Sequence, residues 1–393
     1  MTAHPESDFY RERRLPPYVF AEVNRLKLAY RHEGRDVIDF GMGNPDLPPA
    51  KHIVDKLCEV AADPRAHRYS ASQGVKSLRA ALSRYYARRF NVEIDPDREV
   101  CVTLGSKEGL ANLAQAITAP GDVILAPDPS YPIHMFGFLI AGAVVRPVGF
   151  SDPEDFLREA AYACKRSIPS PGALVLNFPS NPTAQVVDLD FYREAVKLAQ
   201  AHDLVLISDL AYSEIYFEGD PPPSILEVEG ARDVAVEFTS MSKTYSMPGW
   251  RIGFAAGSRR LVDALKRVKS YLDYGAFTPV QIAAVAALDG PQDHVRYARE
   301  TYKARRDVMI ECFSRIGFDV PEPPATMFAW SPIPEGYRQL GSVEFSKLLL
   351  EKAGVAVAPG LGFGERGDGH VRLAMVENEQ RIRQAARQMK GFF

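Results

Sequence analysis

The sequence predicts an α/β protein with a large domain built on a mostly parallel sheet and a smaller α+β domain beside it. Three observations carry that expectation. Short apolar runs bounded by Gly, Pro, Asp or Asn alternate with amphipathic stretches through the middle of the chain. After about Pro279 the texture changes to long charged helical stretches separated by short apolar pieces. The 393 residues, 46% apolar and 25% charged, can fill two or more cores, which excludes a disordered, collagenous or coiled-coil chain.

The runs Val100 to Leu104, Val123 to Ala126, Ala173 to Leu176, Leu204 to Ser208, Val234 to Phe238 and Ile252 to Ala256 read as strands. Between them Ser77 to Arg89, Lys107 to Ile117, Asp190 to His202 and Arg260 to Tyr271 place apolar residues at three- and four-residue spacing, the mark of helices with one buried face. Helices are also predicted over Val295 to Ile316, Ser342 to Ala353 and Glu377 to Met389. The expected division is an N-terminal arm over 1–49, whose short strand Val37 to Phe40 helps complete the small domain, a large domain over 50–285 and a small domain over 286–393.

Forty-seven Lys and Arg against 50 Asp and Glu leave a formal net charge of −3, too balanced for a general nucleic-acid binder or a polybasic membrane anchor. Cys58, Cys101, Cys164 and Cys312 lie far apart without a CxxC pair, so neither a disulfide framework nor a zinc site is expected. No apolar stretch approaches membrane-spanning length. The first residues lack the apolar core of a signal peptide, and a cytoplasmic protein acting on small molecules is expected.

Several residues could carry chemistry. Asp209 ends an apolar run, at the sheet edge where ligands bind in open α/β folds; the residues alone leave a loop acid or a partner for a cationic ligand atom. Lys243 sits among hydroxyls in Ser240-Met241-Ser242-Lys243-Thr244, with Arg251 eight residues on. That composition suits a surface turn, or a desolvated amine beside a phosphate site. Gly105 to Gly109 follows a strand and opens a helix, offering unpaired N–H groups and the helix dipole to an anion. Asn177 to Thr183 contains an Asn181-Pro182 step that can aim an amide into a site, and Tyr131 in Asp128-Pro129-Ser130-Tyr131 offers a ring face to a planar ligand. Tyr212 follows Asp209 by three residues, and Arg372 interrupts the apolar run His370 to Met375, where a guanidinium needs a carboxylate partner.

In this order the elements resemble the class I/II aminotransferases of the pyridoxal-phosphate fold-type I superfamily, over essentially the whole chain. Arg14 to Phe20, Asp39 to Asp46, Gly105 to Gly109 and Ser270 to Pro279 are most similar to the bacterial alanine (glutamate-pyruvate) transaminase group. The resemblance implies a seven-stranded central sheet, pyridoxal 5'-phosphate as cofactor, and reversible ping-pong transfer between an L-amino acid and a 2-oxo acid, with alanine and 2-oxoglutarate as the leading pair. It implies that Lys243, Asp209 and Tyr131 are catalytic. Lys243 would carry the cofactor and move the substrate proton, Asp209 would pair with the pyridinium nitrogen, and Tyr131 would stack on the ring. Asn181 and Tyr212 would bond the ring oxygen. Ser106, Lys107, Ser240, Ser242 and Arg251 would hold the phosphate, with Tyr69 supplied by the second subunit of a homodimer. Arg372, Gly43, Asn181 and Tyr18 would bind substrate, and Tyr18, Tyr274, Met327 and Phe328 would shape its side-chain pocket.

The chain departs from aspartate-specific relatives, which present an arginine in the segment matching Asp273 to Phe277; this segment has none. Tyr18, Lys107 and Tyr274 are the candidates for a distal carboxylate. Rival readings are an aminotransferase of other specificity (aspartate, methionine, aromatic or a specialised biosynthetic substrate), a C–S β-lyase on the same fold, a non-catalytic sensor, and an SxxK serine hydrolase through Ser240 and Lys243.

Overall fold

The computed structural model describes residues 9–16, 19–150 and 152–393. After a two-residue strand, β1 (Ile38–Asp39), come β2 (Val100–Thr103), β3 (Val123–Asp128), β4 (Val144–Gly149), β5 (Pro171–Asn177), β6 (Val205–Asp209), β7 (Ala235–Ser240) and β8 (Gly253–Gly257). These last seven form one sheet in the order β2-β8-β7-β6-β5-β3-β4. Five neighbouring strands run parallel, while β8 lies antiparallel to both β2 and β7. The buried strands read as continuous apolar runs because helices cover both faces.

β4 was not foreseen. Its sequence, Val144-Val145-Arg146-Pro147-Val148-Gly149, contains a proline, which usually argues against a strand. β4 is the sheet's last strand, pairing only with β3, so Pro147 needs no inner partner for its missing N–H. The helix Ile133–Ala141 also escaped the periodic reading, because eight of its nine side chains are apolar or glycine and no stripe stands out.

A second core gathers Ile38 and Phe40 with Phe313, Phe318, Phe345, Leu349 and Leu373. Here β9 (Phe328–Pro332), β11 (Ala358–Pro359) and β12 (His370–Ala374) form an antiparallel sheet in the order β11-β12-β9, and β10 (Val355–Ala356) pairs parallel with β1. The helices Asp293–Ser314, Gly341–Ala353 and Glu379–Met389 cover it, within two residues of the expected ends. No helix is long and apolar enough to cross a membrane among the described residues.

Under the main sheet Glu237 is fully buried on β7. Its carboxyl accepts from Tyr86 Oη at 2.9 Å, Ser224 Oγ at 2.7 Å and the Ile225 amide at 3.2 Å. Burial pushes it up to about 7 despite those donors. The folded chain thus keeps a proton that an unfolded chain releases near the ordinary glutamate value, and stability falls as pH rises across that interval. Glu237→Gln should remove this loss: its thermal midpoint relative to the parent rises between about pH 5 and about pH 8, by the equivalent of a few kcal/mol. A pH-independent difference between the two proteins would contradict it.

Candidate active site

The C-terminal ends of β2, β3, β5, β6 and β7 converge on one cavity of about 290 Å³. The antiparallel β8 brings its N-terminal end to the same edge, so Arg251, two residues before it, joins the site. Ser106, Lys107, Tyr131, Asn181, Asp209, Tyr212, Ser240, Ser242, Lys243, Arg251, Gly43 and Arg372 all line this cavity. Tyr69 and Tyr274 do not: their rings meet at a tilt, centroids 4.5 Å apart, on the chain's outer surface, 86% and 65% exposed. Tyr18 lies outside the described residues, and Met327 is buried in the second core rather than in the cavity lining.

The anion cup is backbone as much as side chain. Helix Ser106–Ile117 begins at Gly105 with φ of 85° and no side-chain cap, which leaves its first amides open. A Cβ on Gly105 would sit 2.2 Å from Arg251 Nη2, and one on Gly253 would sit 2.8 Å from the Ser106 amide nitrogen. Glycine at both positions lets two strand ends, a helix start and a guanidinium meet. Arg251 is steadied by the Pro248 carbonyl at 2.7 Å and the Leu104 carbonyl at 3.3 Å.

Asp209, 5% exposed, is held rather than free. Its Oδ2 lies 2.9 Å from Nε2 of the fully buried His134, whose Nδ1 lies 2.7 Å from Ser130 Oγ. The Asp209 carbonyl accepts from Asn177 Nδ2 at 3.1 Å, and Asn177 Oδ1 accepts the Asn181 amide at 2.9 Å, so one asparagine joins the ends of β5 and β6. Sequence reasoning missed Ser130 and His134; their i, i+4 spacing was legible, but nothing local tied it to Asp209.

Lys243 projects from the short helix Met241–Thr244 after β7, and its Nζ donates to the Gly43 carbonyl at 3.0 Å. Burial first, then Arg372 and Arg251, lower it to about 8. No carboxylate pairs with it among the described residues. Tyr212 is buried nearby, and burial holds its phenol well above the ordinary value, so it stays a hydrogen-bond donor. Arg372 on β12 donates to Asn181 Oδ1 at 2.8 Å and to the Gly41 carbonyl at 3.2 Å. Its guanidinium lies between the rings of Phe328 and Phe363, 4.0 Å and 4.7 Å from their centroids. A Cβ on Gly43 would come within 2.5 Å of Phe328, so glycine is required there for space.

This donor set fits pyridoxal phosphate: a bare helix start with two serines and an arginine for a phosphate, a held carboxylate for a basic ring nitrogen, and an amine for an aldehyde. The comparisons agree. The Aminotransferase class I and II family model matches residues 35–389. The chain belongs to that family. Its members use pyridoxal phosphate, and this chain is an aminotransferase. It is 64% identical to AatC of Rhizobium meliloti (strain 1021), covering 98% of this chain and 95% of AatC. It is 53% identical to the glutamate-pyruvate aminotransferase AlaC of Escherichia coli (strain K12), covering 99% of this chain and 94% of AlaC. A mutant Thermus thermophilus aspartate aminotransferase structure superposes with a TM-score of 0.90 at 29% identity, covering 99% of this chain and all of that one.

Gly105→Ala forces a side chain against Arg251 at a backbone angle unfavourable to alanine. It should weaken pyridoxal phosphate binding by about tenfold or more, equivalent to roughly 1.4 kcal/mol. Absorbance titration of the apoprotein measures this, and unchanged affinity would contradict the cup geometry.

Proposed function

We propose that this aminotransferase moves nitrogen between L-alanine and 2-oxoglutarate, giving pyruvate and L-glutamate, from a site completed by a second copy of the chain. The observation that carries the substrate pair is the near-full-length similarity to a glutamate-pyruvate aminotransferase. The absence of arginine in the Asp273 to Phe277 segment is consistent with it. The homodimer is supported by the exposed Tyr69 and Tyr274 pair, whose rings a monomer leaves in water.

Pyridoxal phosphate, when bound, supplies an aldehyde that receives the nitrogen and a ring that accepts electrons from the substrate's Cα. The chain does the rest. Ser106, Lys107, Ser240, Ser242 and Arg251 would hold the phosphate, and Tyr131 would cover the ring face. Asp209, fixed by His134, would present a carboxylate to the ring nitrogen, while Asn181 and Tyr212 would donate to the ring oxygen. Arg372 would pair with the substrate α-carboxylate, and the two phenylalanines beside it shield its guanidinium from water. Lys243 has a substantial neutral fraction at ordinary pH, so its amine can attack a carbonyl and later take the proton from Cα.

The absorption spectrum of the holoenzyme tests this without a second substrate. Alanine alone and glutamate alone should each convert the cofactor band to the amine form, and aspartate should do so poorly; conversion only by another amino acid would overturn the substrate pair. The rate at which the apoprotein takes up cofactor should also rise with pH and level off above about 8, because only neutral Lys243 attacks. A rate still climbing at about pH 10 would mean an ordinary exposed lysine.

A further inference from the structure

Lys27 and Asp39 form an ion pair that no local sequence pattern singles out. Lys27 stands on the helix Val19–His32, which lines the cavity with Phe20, Val23, Asn24 and Lys27, one stripe at helical spacing. Its Nζ donates to Asp39 Oδ2 at 2.7 Å, and the two residues are 6% and 9% exposed. A charged pair this deep is unusual where an apolar pair would pack as well.

What the pair holds explains its place. The other oxygen of Asp39, Oδ1, accepts the backbone amides of Gly41 at 3.0 Å and Met42 at 3.3 Å. The carbonyls of that same turn receive two of the cavity's basic side chains: Gly41 takes Arg372 at 3.2 Å, and Gly43 takes Lys243 at 3.0 Å. The helix reaches Arg372 by a second route, because Phe20 packs edge-on against Phe363 at 5.2 Å and Phe363 flanks the guanidinium. Arg31, one turn further on, approaches Asp39 only at 3.5 Å and is half exposed.

We propose that Lys27 and Asp39 are positioning residues for substrate binding: their ion pair fixes the 41–43 turn, and through it the direction in which Arg372 meets a substrate carboxylate. Neither residue need touch the reacting atoms. Removing the charge from Lys27 leaves the buried Asp39 with only the half-exposed Arg31 at 3.5 Å, a longer and wetter contact that holds its carboxylate less firmly, and the turn follows. A clamp displaced by a fraction of an ångström binds carboxylates more weakly, while the chemistry after binding is altered much less.

The proposal rests on Arg372 as the carboxylate clamp. The test compares Lys27→Met, Lys27→Arg, Asp39→Asn and Arg31→Met holoenzymes, measuring KM and kcat for whichever amino donor the parent turns over, the calorimetric Kd for pyruvate, and the thermal midpoint. Lys27→Met and Asp39→Asn should raise both KM and Kd by about 10- to 100-fold with kcat within about threefold of the parent. Lys27→Arg should recover most of the affinity, and Arg31→Met should behave as the parent. If Lys27→Met does not fold, the near-isosteric Asp39→Asn decides. Unchanged KM and Kd would overturn the proposal, as would losses in KM, kcat and midpoint that move together and are not recovered by arginine. An Arg372→Lys variant separates the two readings: if it binds pyruvate as the parent does, the clamp assignment fails, whatever Lys27 does.

Discussion

Lys243 is half-buried in the cavity wall near two guanidinium groups, with no carboxylate to neutralise it among the described residues, and the Gly43 carbonyl holds its amine in place. An ammonium in such a place is disfavoured twice, by lost hydration and by like charge. The amine therefore gives up its proton at about pH 8, well below an ordinary lysine, which is what a nucleophile toward a carbonyl needs. The same two arginines that depress it are the groups suited to the two anions the reaction handles, a phosphate at Arg251 and a carboxylate at Arg372. One arrangement of charge thus serves reactivity and binding together.

The fold achieves this by bringing distant segments to one edge. Parallel strands deliver Tyr131, Asn181, Asp209 and Lys243 from successive C-terminal ends, and the reversed β8 delivers Arg251 from its start. Arg372 comes from the separate three-stranded sheet, and its bond to Asn181 joins that sheet to the main one across the cavity. The turn at Gly41 to Gly43 lies between the two, with carbonyls turned to Lys243 and Arg372. Movement of either sheet would therefore be felt at the Arg372 guanidinium.

Most strands and the long helices were legible because burial writes itself into sequence as apolar runs and stripes. β4 was not, since an edge position tolerates the proline that argues against it. Candidate residues at strand ends were legible as breaks in apolar runs, so Asp209, Lys243 and Arg372 stood out. Their roles came from a resemblance and not from spacing. His134 and the Lys27 to Asp39 pair were not legible, because each works through a partner 12 to 75 residues away that only the folded chain brings near. Tyr69, expected to serve the site of a second subunit, lies on the outer surface of the single chain.

The central claim is that Lys243 is the amine that carries the cofactor. Borohydride reduction of the purified holoenzyme, followed by proteolysis and mass spectrometry, tests it directly. The account predicts a cofactor-sized addition on Lys243 and no other lysine, abolished when alanine is present in excess. An unmodified Lys243, or the addition on another lysine, would contradict the account.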